Sequence, residues 1–533
     1  HDGLRLRFHR GPDGWRQENA PLERAAFSWI ELPPPSAASE RQRAFQEAVA
    51  VAQAGLDLSR GPVLRAVFFG QGEGAPGRLL VVSHHLVIDG ISWRLLLEDL
   101  QTAYGQLAAG APVQLPPKTT SFQRWAERLV EEACSPETQA ELPFWLAQGR
   151  GAARLPLDYP AGANLEGGVR TVAVWLDAAE TQALLQRVPE AYRTRVDDAL
   201  LTALIQGFAA WTGDRSLLVD LEGHGREEVG EYLNISRTTG WFATFAPVLL
   251  SLAGTGGPGE ALKAIKEQLR AIPRRGIGYG LLRYLGPDRE AARQLHLLPQ
   301  PEVSFNYLGQ LDQVLAQDGL LRPAGESAGT ARDPRQLRRY LLDVSGDVSG
   351  GRLRLLWTYP GEILAEATVE RLAQGCLIAL RDIVAHCTTP EAAGCTPSDF
   401  PLASLSQAEL DHLAGAEARE IEDLLPLSPL QQGLLFHTLE APESAMYLLQ
   451  FYCTLVGDLD PVAFGSAWQQ VVDRHGILRS SFFWEGLEEP LQRSLRHVDL
   501  PFDWQDWRHL DEVERRERYE RFIMEDRGRR FDL

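Results

Sequence analysis

Two distant segments of the chain share one pattern, and this internal repeat most constrains the fold. The chain opens with HDGLRLRFHR, and HGILRSSFFW lies at residues 475–484, so that both read His-x-x-Leu-Arg-x-x-Phe. The frames also agree downstream, where GLDLSRG at 55–61 matches RRFDL at 529–533. A period of about 470 residues is far longer than a solenoid repeat. The repeat predicts two related large domains, the first missing its opening segment and the second cut off early.

Composition disfavours several classes of function. The length of 533 residues is enough for at least two domains. The formal net charge of −19 argues against nucleic acid and anionic membranes as partners, since both need a basic face. The sequence predicts neither a membrane span nor a signal peptide. Its five cysteines follow neither a disulfide nor a zinc pattern, which predicts a cytoplasmic protein with reduced thiols.

Hydrophobic periodicity predicts a mixed α/β fold. PVLRAVFFG (62–70) and RLLVVSHHL (78–86) have strand length and turn residues between them, so a hairpin is expected. A helix is expected from Trp93, with Ser92 as its N-cap. Residues 390–415 are rich in Pro and Ser and predict a linker. Further strands are expected at 216–222, 244–252, 302–307 and 353–358, and further helices at 179–186, 197–211 and 259–271.

The second hairpin strand ends in two histidines, in VVSHHLVIDGISW (81–93). Neighbours on a strand point to opposite faces, so His84 and His85 cannot easily share a ligand or a metal. The turn at Asp89 and Gly90 holds the strand end at a loop, where functional sites form. His85 is therefore a candidate for proton transfer, and a structural histidine is the alternative. A buried Asp89 needs a cation, and Arg5 is the predicted partner, on a strand beside the one that ends in His85.

A second candidate loop is EGHGRE at 222–227. Gly223 and Gly225 permit backbone angles that other residues avoid, so the loop can present Glu222 and His224. The alternative is a surface loop in which Glu222 only forms a salt bridge with Arg226. Because the spacing of H-E-x-x-H is missing, no metal site is predicted.

Two other motifs carry weaker signals. RRGIGYG at 274–280 lacks the Lys-Ser/Thr ending of a nucleotide loop and follows a helix, which argues against nucleotide binding. SFNYLG at 304–309 ends a strand with Asn306 and Tyr307, two hydrogen-bonding groups beside a glycine turn. For Tyr307 a structural role is the alternative.

These motifs resemble a known family. SHHLVIDGISW resembles the active-site motif shared by the condensation and epimerization domains of nonribosomal peptide synthetases. Five ordered segments resemble the signature set of epimerization domains, and condensation domains lack the glutamate of EGHGRE. The sequence departs from the family pattern in lacking the first motif and in carrying Thr239 and Ala243 where valine and threonine are usual. The five segments are DDALLTALIQGF (197–208), EGHGRE (222–227), RTTGWFATFAP (237–247), PRRGIGYG (273–280) and SFNYLGQ (304–310).

The resemblance implies a fold and a domain order. The fold would be two lobes like chloramphenicol acetyltransferase in a V-shaped pseudo-dimer, followed by a truncated third lobe of the same type. The epimerization domain would cover 1–395, with lobes at about 1–160 and 169–395. Residues 396–420 would be a linker, and 421–533 would be the start of a condensation domain that ends before its own His-His motif. In this tail PLQQGLLFHTL and PVAFGSAWQQVVDRHG are expected to be helices, and YLLQFYCTLVG and ILRSSFFW are expected to be strands.

The resemblance also implies an activity. An aminoacyl or peptidyl group, held as a thioester on the phosphopantetheine arm of an upstream carrier domain, would be epimerized from L to D at Cα. His85 and Glu222 would be the catalytic pair, with their order of action open. No metal or bound cofactor is implied, and downstream modules would be further partners. The alternative is condensation-type acyl transfer, in which His85 deprotonates an amine.

The remaining site residues follow from the same resemblance. Asn306, Tyr307, Ser92 and Trp93 would orient the substrate or stabilise its enolate. Structural support would come from His84, Asp89, Gly90, Arg5, Gly223, His224 and Arg226.

Overall fold

The chain forms two compact units of mixed helix and strand, which confirms the predicted α/β class. One unit is His1–Leu185 with Val196–Val384, and the other is Gln186–Arg195 with Ala385–Leu533. A computed structural model describes all residues except 13, 23–25, 34–37, 73–74, 230–232, 311–319, 323, 325–328, 330–331, 442–446 and 529–533. The RRFDL end of the repeat therefore lies outside the described residues.

The elements up to residue 387 carry the candidate site. The strands are β1 (Leu6–Gly11), β2 (Gly14–Asn19), β3 (Ala26–Glu31), β4 (Leu64–Gly70), β5 (Arg78–Ser83), β6 (Val169–Trp175), β7 (Ser216–Gly223), β8 (Thr244–Ser251), β9 (Val303–Gln310), β10 (Leu342–Ser349) and β11 (Arg352–Pro360). The helices are α1 (Ala38–Ala54), α2 (Gly90–Ala108), α3 (Phe122–Ala133), α4 (Pro136–Ala140), α5 (Leu142–Ala147), α6 (Ala178–Tyr192), α7 (Val196–Thr212), α8 (Pro258–Arg270), α9 (Ile277–Gly280), α10 (Arg289–Leu297) and α11 (Glu366–Cys387).

A three-stranded sheet of order β3-β4-β5 leads to the histidines. Strands β4 and β5 pair antiparallel, with Leu64 opposite Ser83, so the predicted hairpin is confirmed. Helix α1 covers one face, where Phe45 and Val49 pack against Phe69. Strand β5 ends at Ser83, and the chain then passes through a 3₁₀ turn into α2.

A six-stranded sheet of order β6-β11-β10-β9-β7-β8 carries the second candidate loop. Strand β9 runs parallel to both β7 and β10. Helix α7 covers one face, where Phe208 stacks on Trp357 with ring centroids 6.2 Å apart. Because side chains alternate along a strand, Phe305 lies on this covered face, and Ser304 and Asn306 lie on the opposite, polar face.

The repeat is reproduced in the two units. A 3₁₀ turn precedes β1, and a 3₁₀ turn likewise precedes β13 (Ser480–Phe483), which pairs with β14 (Leu491–Leu495). The first repeated arginine, Arg5, donates a hydrogen bond to the carbonyl of Ala20 at 2.6 Å. Its counterpart Arg479 donates to the carbonyl of Leu495. The shared pattern therefore encodes one local structure, built twice.

The tail confirms two predicted helices and corrects one predicted strand. Helices α13 (Pro429–Glu440) and α14 (Pro461–Arg474) form as expected. The segment YLLQFYCTLVG at 447–457 is not a strand, and Leu449 and Phe451 on it are exposed. Instead β12 (Ile421–Pro426) pairs with β14, in the sheet order β12-β14-β13. The remaining helices are α12 (Gln407–Ala414) and α15 (Glu512–Gly528).

Residues 396–420 belong to a hydrophobic core instead of forming the predicted linker. Phe400 and Leu410 are 1% and 0% exposed and belong to the same buried cluster as Ile421, Leu424 and Leu491. One Ser of this segment starts a helix, since Ser406 forms a capping box with Glu409 on α12.

Candidate functional site

The two histidines lie in a turn and not on a strand. His84 is the N-cap of the 3₁₀ turn His85–Val87, and its Nδ1 accepts a hydrogen bond from the Leu86 amide at 3.2 Å. Burial lowers the pKa of His84, and the neighbouring His85 lowers it further. A histidine that receives a backbone hydrogen bond supports the turn, and the support of the site predicted for His84 stays a prediction.

His85 is exposed and held at its Nδ1. That nitrogen lies 3.0 Å from the carbonyl oxygen of Ile88. Because a carbonyl only accepts hydrogen bonds, Nδ1 carries a proton, and in the neutral ring Nε2 then has the lone pair. The ring also meets Trp241 edge to face, with centroids 4.1 Å apart. This imidazole can accept a proton at Nε2.

Asp89, four residues after His85, is 5% exposed and fully occupied by hydrogen bonds. Its Oδ1 accepts from the amide of Ser92 at 2.7 Å and so caps α2. Its Oδ2 accepts from the amide of Phe242 at 3.2 Å. Its cationic partner is Arg226, whose Nη2 lies 3.3 Å from Oδ1.

The predicted pairing of Asp89 with Arg5 is wrong. Arg5 donates to Asp2 at 2.5 Å and to the Ala20 carbonyl. The reason is the local fold, because residues 2–5 form a 3₁₀ turn and β1 pairs with β2 instead of β5. Arg5 therefore stabilises the opening turn of the chain.

Arg226 is buried between the two candidate loops. Its side chain is 7% exposed, and its Nη1 donates to the carbonyls of Ile235 and Thr238, both at 2.9 Å. The guanidinium also lies 3.9 Å over the ring of Phe242. Burial lowers the pKa of Arg226, and Asp89 opposes that shift. The alternative of a surface salt bridge between Arg226 and Glu222 is wrong, because Arg226 pairs with Asp89.

Ser92 is a structural residue and not a substrate-orienting one. It is 0% exposed, and its Oγ donates to the Gly240 carbonyl at 3.0 Å and accepts from the Gly240 amide at 3.1 Å. The N-cap role predicted for Ser92 belongs to Asp89, since α2 begins at Gly90. Trp93 lies half-buried in the first turn of α2, and its contact with substrate stays a prediction.

Glu222 lies half-buried near the end of β7, on the polar face of the six-stranded sheet. The side chain of Asn306 donates a hydrogen bond to its carboxylate. Burial raises the pKa of Glu222, and the charges of Asp343 and Asp89 add to this against the opposing hydrogen bond. The carboxyl can therefore hold a proton closer to neutral pH than an exposed glutamate can.

Two further carboxylates share this polar face. Asp343 on β10 accepts from Ser304 Oγ at 2.6 Å and from Arg338. Asp220, two residues before Glu222, is 1% exposed and accepts from the Tyr340 hydroxyl at 2.6 Å. Neither was predicted, although the alternation in LLDVSGDVSG (341–350) carries a signal for the strand that holds Asp343.

Tyr307 lies on the other face of the sheet. It is opposite Gly346 on β10, and a Cβ at Gly346 would lie 3.3 Å from the Tyr307 ring and 3.8 Å from Leu200 of α7. Burial, followed by the charges of Asp197 and Asp347, raises the pKa of Tyr307 to about 12. The prediction that Tyr307 joins Asn306 at one site is therefore wrong, because neighbouring side chains on a strand alternate.

The EGHGRE loop depends on one glycine. Gly225 has a φ of +64°, and a Cβ there would lie 1.7 Å from the Phe242 carbonyl oxygen. Gly223 has no positive φ, and its Cβ would lie 3.1 Å from Thr244 Oγ1. His224 is exposed, and its Nδ1 accepts from the Arg226 amide at 3.0 Å. His224 and Gly225 therefore shape the loop that Arg226 fastens.

The buried pair of Asp89 and Arg226 joins the loop of His85 to the loop of Glu222. Asp89 lies four residues after His85 in the sequence, and Arg226 lies four residues after Glu222. The described residues contain no cluster of three or more His, Cys, Asp or Glu side chains that could hold a metal ion. None of the described helices is long and apolar enough to cross a membrane.

Comparison with known proteins places this site in a family. The condensation-domain family matches residues 1–405 and again 421–533, in agreement with the internal repeat. A component of the linear gramicidin synthase of Brevibacillus parabrevis is 45% identical over 100% of the chain, which spans 7% of that protein. Chondramide synthase of Chondromyces crocatus is 42% identical over 94% of the chain, which spans 14% of that protein.

A solved structure shows the same fold. The epimerization domain from the third module of tyrocidine synthetase B superposes with a TM-score of 0.66 at 33% identity. The match covers 73% of this chain and 86% of that domain. From these matches, the chain belongs to the condensation-domain family of nonribosomal peptide synthetase enzymes.

Proposed function

We propose that residues 1–395 are an epimerization domain, which inverts Cα of an aminoacyl or peptidyl thioester on the phosphopantetheine arm of a carrier domain. The observation that carries this proposal is Glu222, a half-buried carboxyl with a raised pKa near the end of β7, just before the loop that a buried ion pair joins to the loop of His85. The 33% identity to a solved epimerization domain supports it.

Inversion of Cα needs a base on one face and an acid on the other. His85 Nε2 offers a lone pair, and Glu222 can hold or release a proton at a higher pH than an exposed glutamate can. One of the two takes the Cα proton, and the C–H electron pair moves onto the thioester carbonyl oxygen to give an enolate. The other then delivers a proton to the opposite face of Cα. For the D substrate the two roles exchange, as microscopic reversibility requires.

Asn306 has a supporting role in this reaction. Its amide donates to Glu222 and so keeps the carboxylate oriented on the polar face. The same side chain, on β9 just after the stretch that pairs with β7, is also the candidate to stabilise the enolate oxygen.

The proposed partners lie elsewhere in an assembly line. This chain spans 7% and 14% of the two relatives compared above, both of which are synthases. An upstream carrier domain would bring the substrate on its arm. Downstream modules would take the epimerized product, and the chain itself would need no bound cofactor.

The alternative is condensation-type acyl transfer, in which His85 deprotonates an attacking amine. It is favoured by the family match, since the motif that SHHLVIDGISW resembles occurs in both kinds of domain. In acyl transfer His85 alone acts as the base, and Glu222 has no role in the mechanism. The raised pKa of this carboxyl therefore favours epimerization.

Chiral analysis of a carrier-bound substrate tests the proposal. Carrier domains loaded with single L-aminoacyl groups are incubated with the chain, and the released amino acids are separated by chirality. We expect an L/D mixture from at least one substrate, and the same mixture from its D enantiomer. Retention of the L form, together with a new peptide bond when a second loaded carrier is supplied, would establish acyl transfer instead.

A further inference from the structure

The ring of His85 contacts the ring of Trp241, a residue that has no role in the proposed reaction. The two rings meet edge to face, with centroids 4.1 Å apart and 76° between their planes. The described side-chain hydrogen bond of His85 joins Nδ1 to the Ile88 carbonyl. A single hydrogen bond does not fix the orientation of an exposed imidazole, because the ring can still rotate about that bond. The ring of Trp241 supplies a second constraint on the imidazole plane.

The residues before and after Trp241 both form backbone hydrogen bonds to buried side chains. The amide and the carbonyl of Gly240 both bond to Ser92 Oγ, at 3.1 and 3.0 Å. The amide of Phe242 bonds to Asp89 Oδ2 at 3.2 Å. Ser92 and Asp89 are 0% and 5% exposed. The backbone of Trp241 therefore cannot shift without breaking buried hydrogen bonds.

Close packing adds to this rigidity. A Cβ at Gly240 would lie 2.4 Å from the ring of Phe122, so the chain passes this ring at a distance that only glycine allows. Phe122 in turn packs edge to face on Phe242, with centroids 5.2 Å apart. Trp241 thus projects from a segment that is fixed on both sides.

We propose that Trp241 is a positioning residue for His85. Its ring holds the imidazole so that Nδ1–H stays on the Ile88 carbonyl and Nε2 presents its lone pair to the substrate. Asp89 and Ser92, which share a motif with His85, then act on it through Trp241. The kinetic consequence rests on the proposed function, whereas the consequence for the imidazole tautomer does not.

The tautomer of His85 gives the first test. The full chain is prepared with ¹⁵N-labelled histidine, and the His85 signals are identified by their loss in His85→Gln. The wild type should show the Nδ1–H tautomer alone. Trp241→Leu, which keeps an apolar side chain, and Trp241→Ala should both show a mixture of tautomers, and Trp241→Phe should restore the single form.

A matched control loses a ring contact elsewhere. Trp29 packs against Phe68 with centroids 4.4 Å apart, and Trp29→Ala should leave the His85 tautomer unchanged. A single Nδ1–H tautomer in both Trp241→Leu and Trp241→Ala would overturn the proposal.

Kinetics gives the second test. For Cα exchange, Trp241→Leu should lower kcat about 10- to 100-fold, the cost of a misplaced catalytic group. KM should change by less than about twofold, because Trp241 acts through His85 and does not bind substrate. A raised KM at unchanged kcat would overturn the positioning role. If the wild type shows no exchange, the proposed function fails, and the tautomer measurement still decides the role of Trp241.

Discussion

Glu222 occupies a position that suits chemistry better than stability. It lies half-buried on a sheet face that also holds Asp343, and Asp89 lies near enough to raise its pKa as well. The one favourable contact described for it is the hydrogen bond from Asn306. A carboxylate in such a place costs free energy of folding when it is charged.

This cost predicts that Glu222→Gln stabilises the protein at neutral pH. Because the pKa of Glu222 is raised in the folded state, its contribution to stability is present below the unfolded pKa and is lost as pH rises through the folded pKa. Glutamine has no such loss, so its advantage in unfolding temperature should grow as pH rises above 4.5 and level off above the folded pKa of Glu222. The exposed Glu228→Gln is the control and should show no such trend. A Glu222→Gln variant that is less stable than wild type at pH 8 would contradict this account.

At the scale of elements, the site depends on two loops that one buried ion pair joins. Asp89 caps α2 and pairs with Arg226, which fastens the segment at 235–238 through two carbonyls. Removing one partner of a buried pair leaves the other charge uncompensated. The loops should then lose both stability and their relative placement.

Asp89→Ala should therefore destabilise the protein by about 3–5 kcal/mol. Arg187→Ala is the matched control, because its pair with Glu190 is 65% exposed at both side chains. Its loss should cost about 0–1 kcal/mol, as for surface pairs. Denaturant unfolding of both variants gives the comparison. Equal losses would mean that burial adds nothing to the cost of breaking the Asp89–Arg226 pair and would contradict this account.

Gly225→Ala should also disrupt the loop, because a positive φ costs about 1–3 kcal/mol for a residue with a Cβ. The clash at 1.7 Å with the Phe242 carbonyl adds to that cost. Gly223→Ala is the control, since its backbone has no positive φ. We expect unfolding measurements to show a larger loss for Gly225→Ala. The opposite order would show that the loop adapts at Gly225.

Local patterns in the sequence predicted the elements better than they predicted the contacts. The hairpin of β4 and β5 was predictable, because a strand is encoded by a run of apolar residues that are neighbours in the sequence. Strand β10 was missed because LLDVSGDVSG mixes Gly, Ser and Asp into its alternation. The partner of Asp89 was wrong because several arginines carry the same charge and only the folded register selects one. The prediction for Tyr307 was wrong because it grouped two neighbours in the sequence, whereas the side chains of Asn306 and Tyr307 lie on opposite faces of β9.

At the scale of the whole molecule, the chain is one family pattern built twice. The family matches residues 1–405 and 421–533, and the repeated arginines Arg5 and Arg479 make equivalent hydrogen bonds within their own units. The predicted boundaries at 395 and 421 stay a prediction. The segment between them contributes buried side chains to the second unit.

Phe400→Ala tests whether that segment is part of a core. Phe400 is 1% exposed in the cluster with Ile421 and Leu424, so its truncation should destabilise the second unit by about 3–5 kcal/mol. Leu402→Ala, at a side chain that is 65% exposed, is the control and should have little effect. Hydrogen exchange of the amides in β12 would report the change. Equal protection in both variants would support a free linker.

Deuterium exchange at Cα tests the central claim most directly. A carrier-bound L-aminoacyl thioester is incubated in D₂O with the wild type, His85→Ala, Glu222→Gln and the control Glu228→Gln. We expect exchange by the wild type and the control, and rates lower by about 10²–10⁴-fold for the other two, as for loss of a general acid or base. Exchange close to the wild-type rate in Glu222→Gln would contradict the account and favour acyl transfer by His85 alone.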